Sequence, residues 1–155
     1  METVHNFDPL TPDFWTMIGV AILCGSIVGF ERQVRGKPAG VRTSILVCLG
    51  TCVFIHLASA IGQDQGDPTR VLGQLVTGVG FLGAGVMFSR EGVVTGVTTA
   101  AVIWVLAAIG AAVGFGLFQG AFALSVVTVA VLIGVEILEK SARWLTRGVH
   151  RRDED

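Results

Sequence analysis

Three polar residues, Asp67, Arg70 and Gln74, stand in an otherwise apolar stretch of the chain. At i, i+3 and i+7 spacing, the acid, the base and the amide share one face of a helix. A charge in the middle of a bilayer costs a few kcal/mol, so these side chains are expected to face protein or water. We expect Asp67 to cap the helix and pair with Arg70, and Gln74 to bond to a neighbouring helix. The rest of the chain is predicted to pack around residues 67–89.

Glycines recur in this stretch and in two other apolar segments, where they would let helices approach closely. The six residues from Gly78 to Gly83 also match the G-x-G-x-x-G pattern of dinucleotide loops. However, apolar sequence follows, and no acid stands about twenty positions later to hold a ribose. We therefore interpret the glycines as helix-packing positions. They are Gly25, Gly29, Gly78, Gly80, Gly83, Gly85, Gly110 and Gly114.

The composition predicts an integral membrane protein. Hydrophobic residues make up 52% of the 155 residues, charged residues make up 15%, and the mean hydropathy is +0.70. Ordinary soluble domains of this size are far less apolar. With about 20 apolar residues per crossing, five spans are predicted. They run from Phe14 to Phe30, Val41 to Ile61, Val71 to Phe88, Val97 to Val113 and Leu117 to Leu138.

The basic residues predict the orientation of these spans. Five spans place ten of the eleven basic residues on one side, which the positive-inside rule assigns to the cytoplasm. If the last two segments formed one bent span, the terminal bases would move to the opposite side from the first loop. We therefore predict an all-α bundle with its N-terminus outside and its C-terminus cytoplasmic. Residues 1–13 form an outer segment, 14–139 the transmembrane domain, and 140–155 a basic cytoplasmic tail.

Further polar candidates flank the first inside loop and open the fourth span. Glu31 and Arg32 end one span, and Arg42 with Thr43 begins the next, so an ion pair of Glu31 with Arg32 or Arg42 is predicted. The hydroxyls of Thr98 and Thr99 either bond back to the preceding turn or line a polar cavity with Gln74. These residues complete the predicted intramembrane site, which comprises Glu31, Arg32, Arg42, Thr43, Asp67, Arg70, Gln74, Thr98 and Thr99.

Cys48, Cys52 and His56 share a helix face, which raises the possibility of a soft-metal site. They spread over about 12 Å of helix axis, too far for one ion without a partner helix. Buried packing is the preferred interpretation, so neither a metal nor a cofactor is expected. The sequence shows no nucleophile–base pair and no phosphate loop, and it predicts neither an enzyme nor a nucleic-acid partner.

Four motifs resemble the MgtC/SapB family of bacterial inner-membrane proteins. They are GFERQ at 29–33, GVRT at 40–43, DPTRVLGQLVTGVGFLGAG at 67–85 and GVTTAAVIWVLAAIG at 96–110. The resemblance extends from Gly29 to about Glu139. Longer family members carry a soluble C-terminal domain, whereas this sequence stops at Asp155.

The resemblance implies a non-enzymatic multi-pass protein of the bacterial inner membrane, linked to growth at low magnesium and, in pathogens, to intracellular survival. It also implies that the protein acts by contacting membrane partners, including the proton-translocating ATP synthase. The rival hypothesis is a small magnesium or proton transporter with a polar path along Asp67, Arg70 and Gln74. A homo-oligomer is a further possibility. The basic tail, with Lys140 and Arg143, is expected to attract anionic lipids.

Overall fold

The computed structural model describes residues 8–61, 68–90 and 93–149, with side chains described except at 60–61, 68–69, 90, 93 and 142–149. It contains five helices and one antiparallel hairpin. The elements are α1 (Pro12–Val34), α2 (Val41–Ile61), α3 (Pro68–Gly85), β1 (Phe88–Arg90), β2 (Val93–Thr95), α4 (Val97–Gly114) and α5 (Phe118–Val149). The predicted all-α membrane fold is confirmed. By length and composition, α1, α2, α4 and α5 are able to cross a membrane.

The ends of the helices follow local chemistry. Pro12 stands in the first turn of α1, where its missing N–H costs nothing. Helix α5 continues eleven residues beyond Leu138, the predicted end of the fifth span. The sequence prediction ended the span where the charged residues begin, but charged residues do not end a helix. Lys140 and Glu136 form an i,i+4 ion pair of 2.6 Å, which stabilises the helix outside the hydrocarbon.

Helix α4 occupies the centre of the bundle, because it contacts α1, α2, α3 and α5. The prediction that the rest of the chain packs around residues 67–89 is therefore wrong. Helix α4 carries only apolar residues, glycines and two threonines, so it is apolar all round and is buried most completely. Leu106, Ile109 and Val113 of α4 are fully buried. Helix α3 packs against α4 and α2 and leaves much of its surface exposed.

Four glycines lie where helix backbones nearly touch. A Cβ atom at Gly25 would lie 2.8 Å from Cα of Ile45, and one at Gly29 would lie 2.7 Å from Cα of Val41, both on α2. On the other side of α2, a Cβ at Gly110 would overlap the Cys48 carbonyl oxygen. A Cβ at Gly114 would likewise overlap the carbonyl oxygen of Cys52. Helix α2 therefore packs closely against α1 on one side and α4 on the other.

The glycines of α3 are placed differently. A Cβ at Gly83 would meet Ala100 at 3.6 Å, which is ordinary contact. A Cβ at Gly78, Gly80 or Gly85 would have no described atom within 4 Å. These three glycines therefore do not lie at a helix contact within the described part of the chain. Because Gly78 to Gly83 lie inside α3, they do not form a nucleotide-binding loop.

A short hairpin connects α3 to α4, and the sequence reading did not predict it. Phe88 pairs with Thr95, and Ser89 pairs with Val94. The signal that favours it is the β-branched run Val93 to Thr95 after a charged turn sequence. The hairpin returns the chain to α4 at Gly96, whose φ is +88°.

We expect Gly96→Ala to disrupt the junction between the hairpin and α4. Alanine would pay about 1 to 2 kcal/mol for the left-handed backbone, and its Cβ would also overlap the carbonyl oxygen of Val86. Gly116→Ala is the matched control, because Gly116 has φ +78° but open space around its Cβ. Melting temperatures in detergent should fall more for Gly96→Ala than for Gly116→Ala. Equal losses would mean that the close approach to Val86 does not matter.

Candidate functional site

Two charged residues are buried at the end of α1. Glu31 is 8% exposed and Arg32 is 3% exposed. Nη2 of Arg32 donates a hydrogen bond of 2.8 Å to Oγ1 of Thr99, which is itself buried in the first turn of α4. This bond joins residues 67 positions apart, so it ties the end of α1 to the beginning of α4.

Arg35 links Glu31 to α5. Its Nε donates to Oε1 of Glu31 at 2.7 Å, and its guanidinium also pairs with Glu136. The partner of Glu31 is thus Arg35, one helical turn away, and not Arg32 or Arg42 as predicted. The i,i+4 spacing places Arg35 beside Glu31 on the same helix, whereas Arg42 is exposed at the beginning of α2. With Lys140 on the far side of Glu136, the four paired groups form a charge chain.

A cavity of about 830 Å³ opens beside this charge chain. Its polar lining comes from Glu31, Arg32, the first turn of α4 and the acids of α5, and its apolar lining comes from the hairpin and the preceding turns of α5. Two buried atoms at this cavity, Oε2 of Glu31 and Nε of Arg32, have no hydrogen-bond partner among the described residues. A buried polar group without a hydrogen bond destabilises the fold, so these two atoms mark the place in the described bundle where a bound group would be most favourable.

The other predicted site residues do not come together in one place. Thr98 and Thr99 line the charged cavity with Arg32, and not a cavity with Gln74 as one alternative proposed. Thr43 and Gln74 line a separate, mostly apolar groove of about 650 Å³ between α2 and α3. Arg70 is exposed at the beginning of α3. Asp67, its predicted partner, lies outside the described residues.

Sequence reasoning missed Arg35 and Glu136 as members of the site. A signal was available, because an acid four residues before Lys140 in an apolar helix indicates an ion pair. Nothing in the sequence connects Glu136 to Arg35, since that contact requires α1 and α5 to be neighbours.

The possible metal site is not assembled. Cys48 and Cys52 are fully buried in the apolar core, and His56 is partly exposed. The described residues contain no group of three His, Cys, Asp or Glu side chains placed to hold an ion. The two cysteines on α2 are packed in the core, where they contact α4 beside Gly110 and Gly114.

These features define an integral membrane protein in which a helix bundle encloses a small charged cluster at one end. A family model of the MgtC family matches residues 18–141, and the chain belongs to that family. No solved structure matches it significantly.

Curated relatives come from several bacteria. The chain is 35% identical over 142 residues to an uncharacterised protein of Haemophilus influenzae, covering 86% of this chain and 58% of that protein. It is 44% identical over 111 residues to Protein MgtC of Brucella abortus, covering 72% and 46%. It is 45% identical over 123 residues to "Putative magnesium transporter YhiD" of Escherichia coli K12, covering 75% and 57%. The chain therefore spans about half the length of these relatives.

Proposed function

We propose that this chain is a bacterial inner-membrane protein that supports adaptation to low magnesium by binding partner proteins within the bilayer, without catalysing a reaction. Membership of the MgtC family and the names of two relatives, one containing the words magnesium transporter, support the link to magnesium. The distribution of polar side chains favours binding over transport.

A transporter would place its polar side chains along one water-accessible route through the bundle. Here the charged residues are paired off at the end of α1, where Arg35 bridges Glu31 and Glu136. Gln74 lies apart from them, in the groove between α2 and α3. The charge chain and Gln74 thus line two different cavities among the described residues and do not share one path.

The observation that carries the proposal is the position of Gln74. Its side chain is exposed on α3, and no hydrogen bond joins it to a described residue. Thr77, one turn further along the same helix, instead satisfies its hydroxyl by donating to the Gly73 carbonyl at 3.1 Å. An amide in the bilayer needs a partner, and a helix of another protein supplies one.

We expect Gln74→Leu to leave membrane abundance unchanged and to weaken rescue of growth at low magnesium in a host that lacks its own homologue. One interhelical hydrogen bond in a membrane is worth about 1 kcal/mol, so partner binding should weaken by about fivefold. Thr77→Leu is the matched control, because it makes the same polar-to-leucine change where the hydroxyl is already satisfied within the helix.

The partner can be identified by crosslinking in native membranes. The family resemblance makes ATP synthase subunits the first candidates. They should co-purify with the wild type and the Thr77 variant, and less with the Gln74 variant. Lost abundance in Gln74→Leu would assign this residue a structural role only. Magnesium uptake by the purified chain in proteoliposomes would establish the transporter instead.

A further inference from the structure

Two buried polar atoms of residues that line the charged cavity, one anionic acceptor and one cationic donor, have no partner among the described residues. The Glu31 side chain is 6% exposed, and its Oε2 has no hydrogen-bond partner among the described residues. The same is true of Nε of Arg32, a residue that is 3% exposed. Because both residues line the same cavity, a ligand that satisfies them must offer a donor to the carboxylate and an acceptor to the guanidinium.

The acceptor end of such a ligand fits the beginning of α4. The first-turn N–H groups of an α-helix have no partner inside the helix, and the helix dipole favours an anion there. The N-cap of α4 is Gly96, which makes no side-chain hydrogen bond to these groups. Arg32 is bonded to Thr99 in the same turn, so its positive charge stands beside the helix end. A phosphate group is the anion that such a helix end accepts.

The donor end fits the carboxylates that line the same cavity. Glu136 and Glu139 of α5 line the cavity together with Glu31. A bare divalent cation is a poor occupant, because Arg32 and Arg35 stand among these acids and the described residues form no three-ligand group. A primary ammonium group needs only hydrogen-bond acceptors, and it carries three donors. Phosphoethanolamine combines a phosphate and a primary ammonium in one headgroup.

The remaining wall of the cavity is apolar. Val131, Leu132 and Val135 come from α5, and Phe88 and Val94 come from the hairpin. The cavity lies at the end of the bundle where Arg35 and Lys37 stand, which is typical of a membrane–water interface. Its volume, about 830 Å³, is in the range of small-ligand sites.

We infer that this cavity binds the phosphoethanolamine headgroup of a membrane phospholipid, with the phosphate at Arg32 and the α4 N-terminus and the ammonium at Glu31. The apolar wall contacts the glycerol and upper acyl region, which favours the lipid over free phosphoethanolamine. This binding site is separate from the protein contact at Gln74 and does not depend on the proposed function.

The test is native mass spectrometry of the purified full chain with phosphatidylethanolamine, phosphatidylcholine and phosphatidylglycerol of identical acyl chains. Phosphatidylethanolamine should be retained about tenfold more strongly, because the trimethylated headgroup has no N–H donor and the glycerol headgroup has no cation. Equal retention of the three lipids would overturn the inference. Soluble phosphoethanolamine at the same concentration should not displace the lipid. If it does, the site belongs to the free zwitterion and the lipid assignment is wrong.

Two variants locate the binding. Glu31→Gln keeps the shape of the side chain and an oxygen for Arg35 but removes the negative charge, so the preference for phosphatidylethanolamine should disappear. Asp13→Asn is the matched control, because it makes the same acid-to-amide change at an exposed position at the beginning of α1. An unchanged preference in Glu31→Gln would contradict the assigned site. If that variant does not fold, the lipid series on the wild-type chain decides the matter alone.

Discussion

Replacing Arg32 by leucine should cost more stability than any other single charge removal in the described bundle. The variant removes the hydrogen bond to Thr99 and the cation beside Glu31, both of which are buried. Because Glu31 keeps Arg35 as its partner, the main loss is the buried hydrogen bond to Thr99, and a hydrogen bond of a charged group contributes about 1.5 to 3 kcal/mol. We expect a large loss of membrane abundance and a lower melting temperature in detergent.

Arg42→Leu is the matched control for this prediction. Arg42 is also an arginine near the loop between α1 and α2, but it is exposed, so its removal should change stability by about 0.5 kcal/mol or less. Thr99→Val tests the contact itself, because the cost of Arg32→Leu should shrink in the Thr99→Val background. Equal effects of the Arg32 and Arg42 variants would show that burial of the cluster contributes nothing.

Replacing Gly110 by alanine should separate α4 from α2. The added Cβ would overlap the carbonyl oxygen of Cys48, a backbone atom that cannot rotate away. Overpacking usually costs about 1 to 3 kcal/mol, and a contact with backbone belongs at the upper end of that range. Thermal unfolding in detergent, followed by size-exclusion chromatography, measures the loss.

Gly78→Ala is the matched control for Gly110→Ala. Gly78 also lies inside a helix, but a Cβ atom there would have no described atom within 4 Å. The same change should therefore leave the stability of the single chain unaltered or slightly higher, since alanine favours helix. A larger loss at Gly78 than at Gly110 would show that a second chain or another protein packs on α3.

Much of the fold was predictable because the relevant physics is local. The apolar fraction and the length of each segment determine that the chain is a membrane protein with five helices, since a helix must satisfy its own backbone in lipid. The positions of the charges correctly marked the end of α1 and the beginning of α2 as polar. Four motifs also sufficed to predict the family, and the match over residues 18–141 confirms it.

Which helix lies at the centre of the bundle was not predictable in the same way. Polar residues and glycines made α3 the expected centre, yet α4 holds that place. The periodicity of a sequence shows which face of a helix carries the polar residues or glycines. It does not show whether another helix, lipid or a partner protein covers that face. Thus the glycines at 25 and 110 lie against α2, whereas Gly78 does not contact another helix in the described chain.

Sequence alone determined the membrane fold and the family, because composition and motif spacing are properties of the chain itself. Only the tertiary structure decided which polar side chains meet and which partners they have. Arg32 bonds to a threonine 67 positions away, and Arg35 joins Glu31 on its own helix to Glu136 on α5. Such contacts depend on which helices become neighbours, and many helix arrangements satisfy the same apolar pattern.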